Sequence, residues 1–278
     1  MGIAQDYRII VRGAGDIATG SIHRLFKAGF RPIVLEIAEP SAIRRTVAFC
    51  EAVYEDCVEI EGVTARLAND LKDAIRIADN NEVPILIDED AAAISEFKPH
   101  VVIDAILAKK NLGTSKDMAT LTIALGPGFD AGIDSDYVIE TMRGHNLGRI
   151  IESGPAMPNT GTPGVIAGYG KERVMHAPAA GIFESVKNIG DTVKAGEPIA
   201  YIKEKNGNKV AVPASIDGLL RGLIRDWYEV KEGLKIADID PRLEEHDNCY
   251  TISDKASAIG GSVLELVTAN YVLKKYKK

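Results

Sequence analysis

Ile9-Ile10-Val11-Arg12-Gly13-Ala14-Gly15-Asp16-Ile17-Ala18 runs from an apolar strand through a glycine turn into a helix, and that order decides the reading of the first half of the chain. Gly13 permits a tight turn, and Gly15 lets the main chain approach a pyrophosphate. Ala18 stands where a third glycine is usual and still allows close helix–strand packing. Glu36 closes the next strand about 20 residues on, where a carboxylate can hold the ribose hydroxyls of an NAD-type ligand. Asp16 is the misfit. It suits a helix start but repels a pyrophosphate on the same amides. Arg44 and Arg45 follow, either in reach of a phosphate or as a solvated helix face. The plainer alternative is a sheet whose glycines only shape a turn.

Working outward, strand-length apolar runs alternate with helical patterns. Ile33–Leu35, Pro84–Ile87 and Val101–Ala105 read as strands, and Ile17–Lys27, Ala42–Ala52 and Leu71–Ala78 as helices. Gly29 supplies a helix stop, and Cys57–Leu67 reads as a hairpin-like insertion. Such alternation predicts parallel strands joined by right-handed crossovers. The expected fold class is α/β, with a Rossmann-like parallel sheet domain over residues 1–170. Within it, residues 126–170 are rich in glycine and proline, which implies loops shaped around something, with a linker near Ala167–Glu172.

Those loops follow a strand-like Leu121–Leu125, and in doubly wound sheets ligands sit at the carboxyl ends of strands. Gly126 and Gly128 are candidate ligand contacts there. Arg143 can clamp an anion, and Asp130, Asp134 or Glu140 can act with His145 as acid–base groups. Ordinary loop glycines and surface charges are the alternative. Asp104 breaks an apolar strand near its end, with Lys109 and Lys110 just beyond, and a buried charge there needs a partner.

An internal repeat comes next. Gly181-Ile182-Phe183 … Val193-Lys194-Ala195-Gly196 … Ile199-Ala200 returns as Gly218-Leu219-Leu220 … Val230-Lys231-Glu232-Gly233 … Ile236-Ala237. Two copies of a strand and glycine-turn unit suit a pseudo-twofold sandwich, because one copy cannot bury its apolar face alone. The pattern resembles the lipoyl/biotinyl barrel-sandwich hybrid and sets a second, smaller all-β domain at 171–242. Asn206-Gly207 predicts a type I′ turn at its hairpin tip. Neither Lys205 nor Lys209 sits where a carrier lysine should, so a structural or docking module is the better reading. Residues 243–278 are expected to form a C-terminal helical segment packing back on the N-terminal domain. Ser253 serves as its N-cap, and Lys274, Lys275, Lys277 and Lys278 complement its dipole. Gly260-Gly261 within it is either a break or a close packing point.

Composition narrows the function. Of 278 residues, 46% are hydrophobic, and 40 acidic against 33 basic side chains leave a net charge of −7. That argues against a nucleic-acid partner or a basic membrane-surface protein, while leaving room for a small anionic ligand held locally. Apolar runs such as Val101–Ala108 fall short of the ~18–20 residues of a membrane span. Met1-Gly2-Ile3-Ala4-Gln5-Asp6 lacks signal-peptide character, and Asp6 replaces the Ser/Thr of a myristoylation signal. Cys50, Cys57 and Cys249 are too few and scattered for a disulfide framework or a zinc cage. A cytoplasmic globular protein is expected, with a homo-oligomer left open.

Several motifs together resemble one family. They are Arg12–Gly20, Ala42–Val47, Leu125–Phe129, Val138–His145, Pro158–Gly161, Asp238–Arg242 and Thr251–Ala256. The set is similar to the YqeB-type accessory proteins of selenium-dependent molybdenum hydroxylase systems, and more distantly to XdhC-type maturation factors. The resemblance implies a role in maturing a hydroxylase of the xanthine or purine dehydrogenase kind. The client hydroxylase would be the partner, and the ligand an NAD-type dinucleotide or a molybdopterin nucleotide. It carries over no catalytic residue. The alternative is a free-standing NAD(P)-dependent oxidoreductase with Asp104, Glu140 or His145 near the hydride path.

Overall fold

The structure, a computed structural model, describes residues 6–161 and 164–276. Met1–Gln5, Thr162, Pro163, Lys277 and Lys278 lie outside the described residues. The chain divides into two units. The first comprises Met1–Pro40, Ala48–Asn159 and Ile252–Lys278, and the second Ser41–Val47 and Thr160–Thr251. The boundaries read at 170/171 and 242/243 thus become 159/160 and 251/252, and one short early segment joins the second unit.

The first unit contains β1 (Ile9–Arg12), α1 (Asp16–Lys27), β2 (Pro32–Glu36), α2 (Ala52–Glu55), β3 (Cys57–Ile60), β4 (Val63–Ala68), α3 (Leu71–Asp79), β5 (Val83–Ile87), α4 (Ala93–Phe97), β6 (Val101–Asp104), β7 (Leu121–Leu125), β8 (Asp130–Ala131), β9 (Tyr137–Ile139), β10 (Ile150–Ile151), β11 (Gly154–Pro155) and α5 (Asp254–Tyr276). Nine strands form one sheet in the order β10-β9-β7-β6-β1-β2-β5-β4-β3. Strands β9 to β4 in that order run parallel, whereas β3 and β10 pair antiparallel at the two edges. Ile9, Ile10, Val11, Val101, Val102 and Ile103 are all buried, so the central strands read as unbroken apolar runs, as strands covered on both faces do.

α5 buries Ala256, Ile259, Gly260, Val263 and Val267, which recur along one helical face. That face packs on α1, where a Cβ on Gly20 would lie 2.5 Å from the Ala256 carbonyl oxygen, and one on Gly260 would lie 2.6 Å from the Gly20 carbonyl oxygen. Gly260 is therefore a close packing point in an unbroken helix. By length and composition alone the helical stretch Leu243–Lys275, with mean hydropathy 1.2, is long and apolar enough to cross a membrane. Of that window 28% is buried, and the buried share is the face that packs on α1.

The second unit contains β12 (Val174–His176), β13 (Gly181–Ser185), β14 (Thr192–Val193), β15 (Pro198–Lys203), β16 (Lys209–Pro213), β17 (Gly218–Leu223), β18 (Glu229–Val230) and β19 (Lys235–Asp240). They form two four-stranded antiparallel sheets, β12-β19-β17-β14 and β16-β15-β13-β18. Phe183, Ile199, Ile202, Leu220, Ile236 and Ile239 fill the core between the two copies of the repeat. A 3-10 segment, Leu243–Cys249, follows β19.

The expected Rossmann-like sheet paired with a lipoyl/biotinyl-like barrel-sandwich hybrid is corrected. The main sheet is mixed, with antiparallel strands at both edges, and the β6–β7 connection holds only the short 3-10 turn Lys116–Met118 instead of a crossover helix. The second unit comprises two separate antiparallel sheets, one of which takes in β12 from outside the repeat, and the unit also includes Ser41–Val47, which lies in neither sheet. Nor is Ala42–Ala52 one helix. Two 3-10 turns, Arg45–Val47 and Phe49–Glu51, occupy most of it. At the hairpin tip Gly207 alone is left-handed, at φ +91°, and its N–H donates to the Glu204 carbonyl at 2.9 Å. That is a type I turn closed by a left-handed glycine, not the expected type I′ turn.

Candidate functional site

In the first unit β2, β1, β6 and β7 end at the same depth, because Arg12 lies opposite both Leu35 and Asp104, and Asp104 opposite Ala124. The loops leaving these ends share one edge of the sheet. Each candidate there can be judged by what surrounds it.

Gly13 is left-handed, at φ +92°, and a Cβ on it would lie 3.0 Å from the Ala105 carbonyl oxygen and the Ile106 main chain. Its N–H donates to the Leu35 carbonyl at 2.8 Å. The Ala14 N–H donates to Glu36 Oε1 at 3.2 Å, and the Ile37 N–H donates to Glu36 Oε2 at 3.0 Å. Burial pushes the Glu36 carboxyl above its ordinary range, and these two amide bonds oppose the shift. Each oxygen keeps a lone pair, so the carboxylate can still accept from hydroxyls. The Ala14 carbonyl accepts from the Cys50 N–H at 2.9 Å and from Thr19 Oγ1 at 3.3 Å. The first two residues of the turn are therefore used internally.

Gly15 differs. Its φ of −64° suits any residue, and a Cβ there would meet nothing within 4 Å. It caps α1 without a side-chain bond, and the first-turn amides of a helix have no partner within the helix. Asp16 and Ala18 follow in α1, with Ala18 fully buried against the sheet as its small size permits.

Asp104 has its partners. Thr114 Oγ1 donates to Oδ2 at 2.6 Å, the Ile106 N–H donates to Oδ1 at 3.2 Å, and Arg12 Nη1 lies 3.6 Å from Oδ2. Arg12 also donates to Thr114 Oγ1 and to the Leu112 carbonyl. Burial raises the Asp104 carboxyl, against the Thr114 and Ile106 bonds and Arg12. This buried set ties the loop 105–114 to the strand ends. Sequence reasoning missed Arg12 and Thr114, although Arg12 and Asp104, both ending apolar strands, offered the signal.

The second glycine pair is filled by its own chain. Gly126, at φ +80°, would place a Cβ 2.6 Å from Thr141 Oγ1, and Gly128, at φ +108°, 2.6 Å from the Lys110 main chain. Glu140 is buried and accepts from the Met142 N–H at 2.7 Å and the Met157 N–H at 2.8 Å, so it shapes loops. Asp134 accepts from the Asp130 N–H at 2.8 Å, and His145 is exposed. Arg143 forms a bidentate pair with Asp254 at 2.7 and 2.9 Å.

Arg44 and Arg45 belong to the second unit. Arg44 is buried and donates to the Asn248 carbonyl at 2.8 Å, and Arg45 to the Leu223 carbonyl at 2.8 Å. Both hold Ser41–Val47 onto that unit. Among the described residues no group of three or more His, Cys, Asp or Glu is placed to hold a metal ion. A cavity of about 600 Å³ near α4, lined by Ile94, Ser95, Lys98, Asp117 and Met118 among others, contains none of the candidate residues.

No family model matches the chain. Over 257 residues, however, it is 51% identical to a protein of Escherichia coli (strain K12) described as uncharacterized protein YqeB. The likeness is to YqeB. It covers 92% of this chain but 46% of YqeB, so the chain spans less than half the length of that relative.

Among solved structures, the product-bound ectoine utilization protein EutE (DoeB) of Ruegeria pomeroyi is 11% identical, with 84% of each chain covered and a TM-score of 0.26. An aspartoacylase family protein of Mesorhizobium loti is 11% identical, with 85% and 86% covered and a TM-score of 0.29. A succinylglutamate desuccinylase of Silicibacter sp. TM1040 is 12% identical, with 84% of each covered and a TM-score of 0.25. Likenesses so slight carry no activity across.

Proposed function

We propose that the chain is a cytoplasmic accessory factor in the maturation of a selenium-dependent molybdenum hydroxylase, and that it holds an anionic, nucleotide-like ligand at the start of α1. The ligand class is an NAD-type dinucleotide or a molybdopterin nucleotide. The observation that carries the reading is the open space off Gly15, beside first-turn amides that a helix cannot satisfy by itself. Glu36, at the end of the neighbouring strand, retains acceptor capacity for a ribose hydroxyl. The motif resemblance supplies the pathway and the client enzyme.

The test is a thermal-shift titration of wild type and Gly15→Val with NAD, NADP, ATP, CTP and pterin nucleotides. Wild type is expected to gain Tm with one of them. Gly15→Val, whose backbone angles suit valine, is expected to keep its own Tm and lose the shift. No shift of wild type with any ligand overturns the binding claim. Undiminished hydroxylase activity in cells lacking the protein overturns the pathway.

A further inference from the structure

We propose that the loop leaving β6, residues 106–110, is an anion-binding concavity that takes a phosphoryl group, distinct from the site at the start of α1. Its backbone gives the first sign. Leu107 is left-handed at φ +58° and Lys109 at φ +63°, with Ala108 between them on the ordinary side. Left-handed backbone is strained for side chains of this size and persists only where the surroundings enforce it. A chain whose handedness alternates from residue to residue turns successive N–H groups toward one hollow, a main-chain cradle for an anion.

The surroundings do enforce it. A Cβ on Gly13 would lie 3.0 Å from the Ala105 carbonyl oxygen and the Ile106 main chain, and one on Gly128 2.6 Å from the Lys110 main chain. The turns after β1 and β7 therefore grip the loop at its two ends. Beyond it, Asn111 Oδ1 accepts from the Gly113 N–H at 2.9 Å and the Thr114 N–H at 2.8 Å, while Asn111 Nδ2 donates to the Thr114 carbonyl at 2.8 Å. Arg12 holds the Leu112 carbonyl at 3.2 Å, and Asp104 accepts from the Thr114 hydroxyl. The stretch between these anchors is fixed from both sides.

Its donors are unspent. The Ile106 N–H goes to Asp104, but those of Leu107, Ala108, Lys109 and Lys110 meet no acceptor among the described residues. Ala108, Lys109 and Lys110 are exposed, and neither lysine meets a carboxylate among the described residues. Lys116, six residues on, does pair, with Asp136 at 3.4 Å.

Chemistry identifies the guest. Two ammonium groups and several amides in one place suit a group with three acceptor oxygens and close to two charges better than a single carboxylate. A chain of net charge −7 repels such a group in general, so a local pair of cations is what draws it in. The loop also lies at the carboxyl ends of the strands, between β1 and β7, where open sheets hold their ligands. Free phosphate and the phosphoryl end of a nucleotide share this chemistry.

Phosphorus NMR titrations at low salt, with inorganic phosphate and separately with ATP, test the proposal. Saturable binding of phosphate supports it with the free ion as guest, and binding of ATP alone supports it with the group carried on a nucleotide. Lys109→Gly removes one charge and lets the left-handed position be taken without strain. It is expected to keep or raise Tm while weakening binding about tenfold or more. Lys110→Gln is expected to weaken binding by less. Lys205→Gln, at a side chain 92% exposed in the second unit, controls for diffuse charge and is expected to change nothing. No saturable binding of either compound up to about 20 mM, a Lys109→Gly protein that binds as wild type does, or an equal loss in Lys205→Gln overturns the proposal without touching the reading of the α1 site.

Discussion

Two glycine pairs leave strands at the same edge of the same sheet, and they do different work. After β7, both Gly126 and Gly128 are left-handed, and the chain itself fills the space beside them with Thr141 and Lys110. After β1, only Gly13 is used in that way. Gly15 has an ordinary conformation and open space. Glycine in a loop is thus evidence of close approach without saying what approaches. Three of these four make room for the protein's own main chain or side chains, and one leaves room for something else.

That contrast can be broken by substitution. Gly128→Val should have the largest effect, about 3 kcal/mol or more lost in urea unfolding, because it adds left-handed strain to a clash with Lys110 main chain that cannot rotate away. Gly13→Ala should lose about 2 kcal/mol, since its Cβ meets the Ala105–Ile106 main chain at a tight but yielding distance.

Glu36→Gln should act through pH. Burial raises the folded-state carboxyl above its unfolded value, so the stability this group contributes is present at low pH and is lost as pH rises through the raised value. The neutral variant should therefore gain on wild type as pH rises from the ordinary glutamate range through that raised value, read as the difference in Tm along the way. A difference that shrinks with rising pH would contradict the buried placement. Gly15→Ala should have the smallest effect, within about 0.5 kcal/mol of wild type or slightly stabilising. If it proves as damaging as Gly13→Ala, the hollow beside α1 is not open.

Much of the element pattern could be read along the chain. The β1 turn, the α1 stop at Gly29, the hairpin of β3 and β4, and the start of α5 at Ser253 all rest on residues close in sequence. Gly29 is left-handed at φ +95°, and Ser253 Oγ accepts from the Ala256 N–H at 3.1 Å. The class of fold was less legible, because β3 and β10 reveal their antiparallel direction only through their partners. Ala42–Ala52 misled for a related reason. Its helical spacing gives way where Leu223 donates its N–H to the Ile43 carbonyl at 2.7 Å and the two arginines hold distant carbonyls.

The candidate site divided in the same way. A glycine turn between strand and helix is a local signal, so Gly13, Gly15 and Glu36 could be placed together from spacing alone. Arg143, Glu140 and Asp104 could not be assigned, since their partners Asp254, Met157 and Thr114 come from other segments of the chain.

By itself the chain determined its strands, its glycine turns and its doubled unit, because backbone preference and apolar spacing act between near neighbours. Tertiary structure alone decided which glycines are filled and which charges are paired. Those outcomes depend on groups that meet only once the sheet has formed.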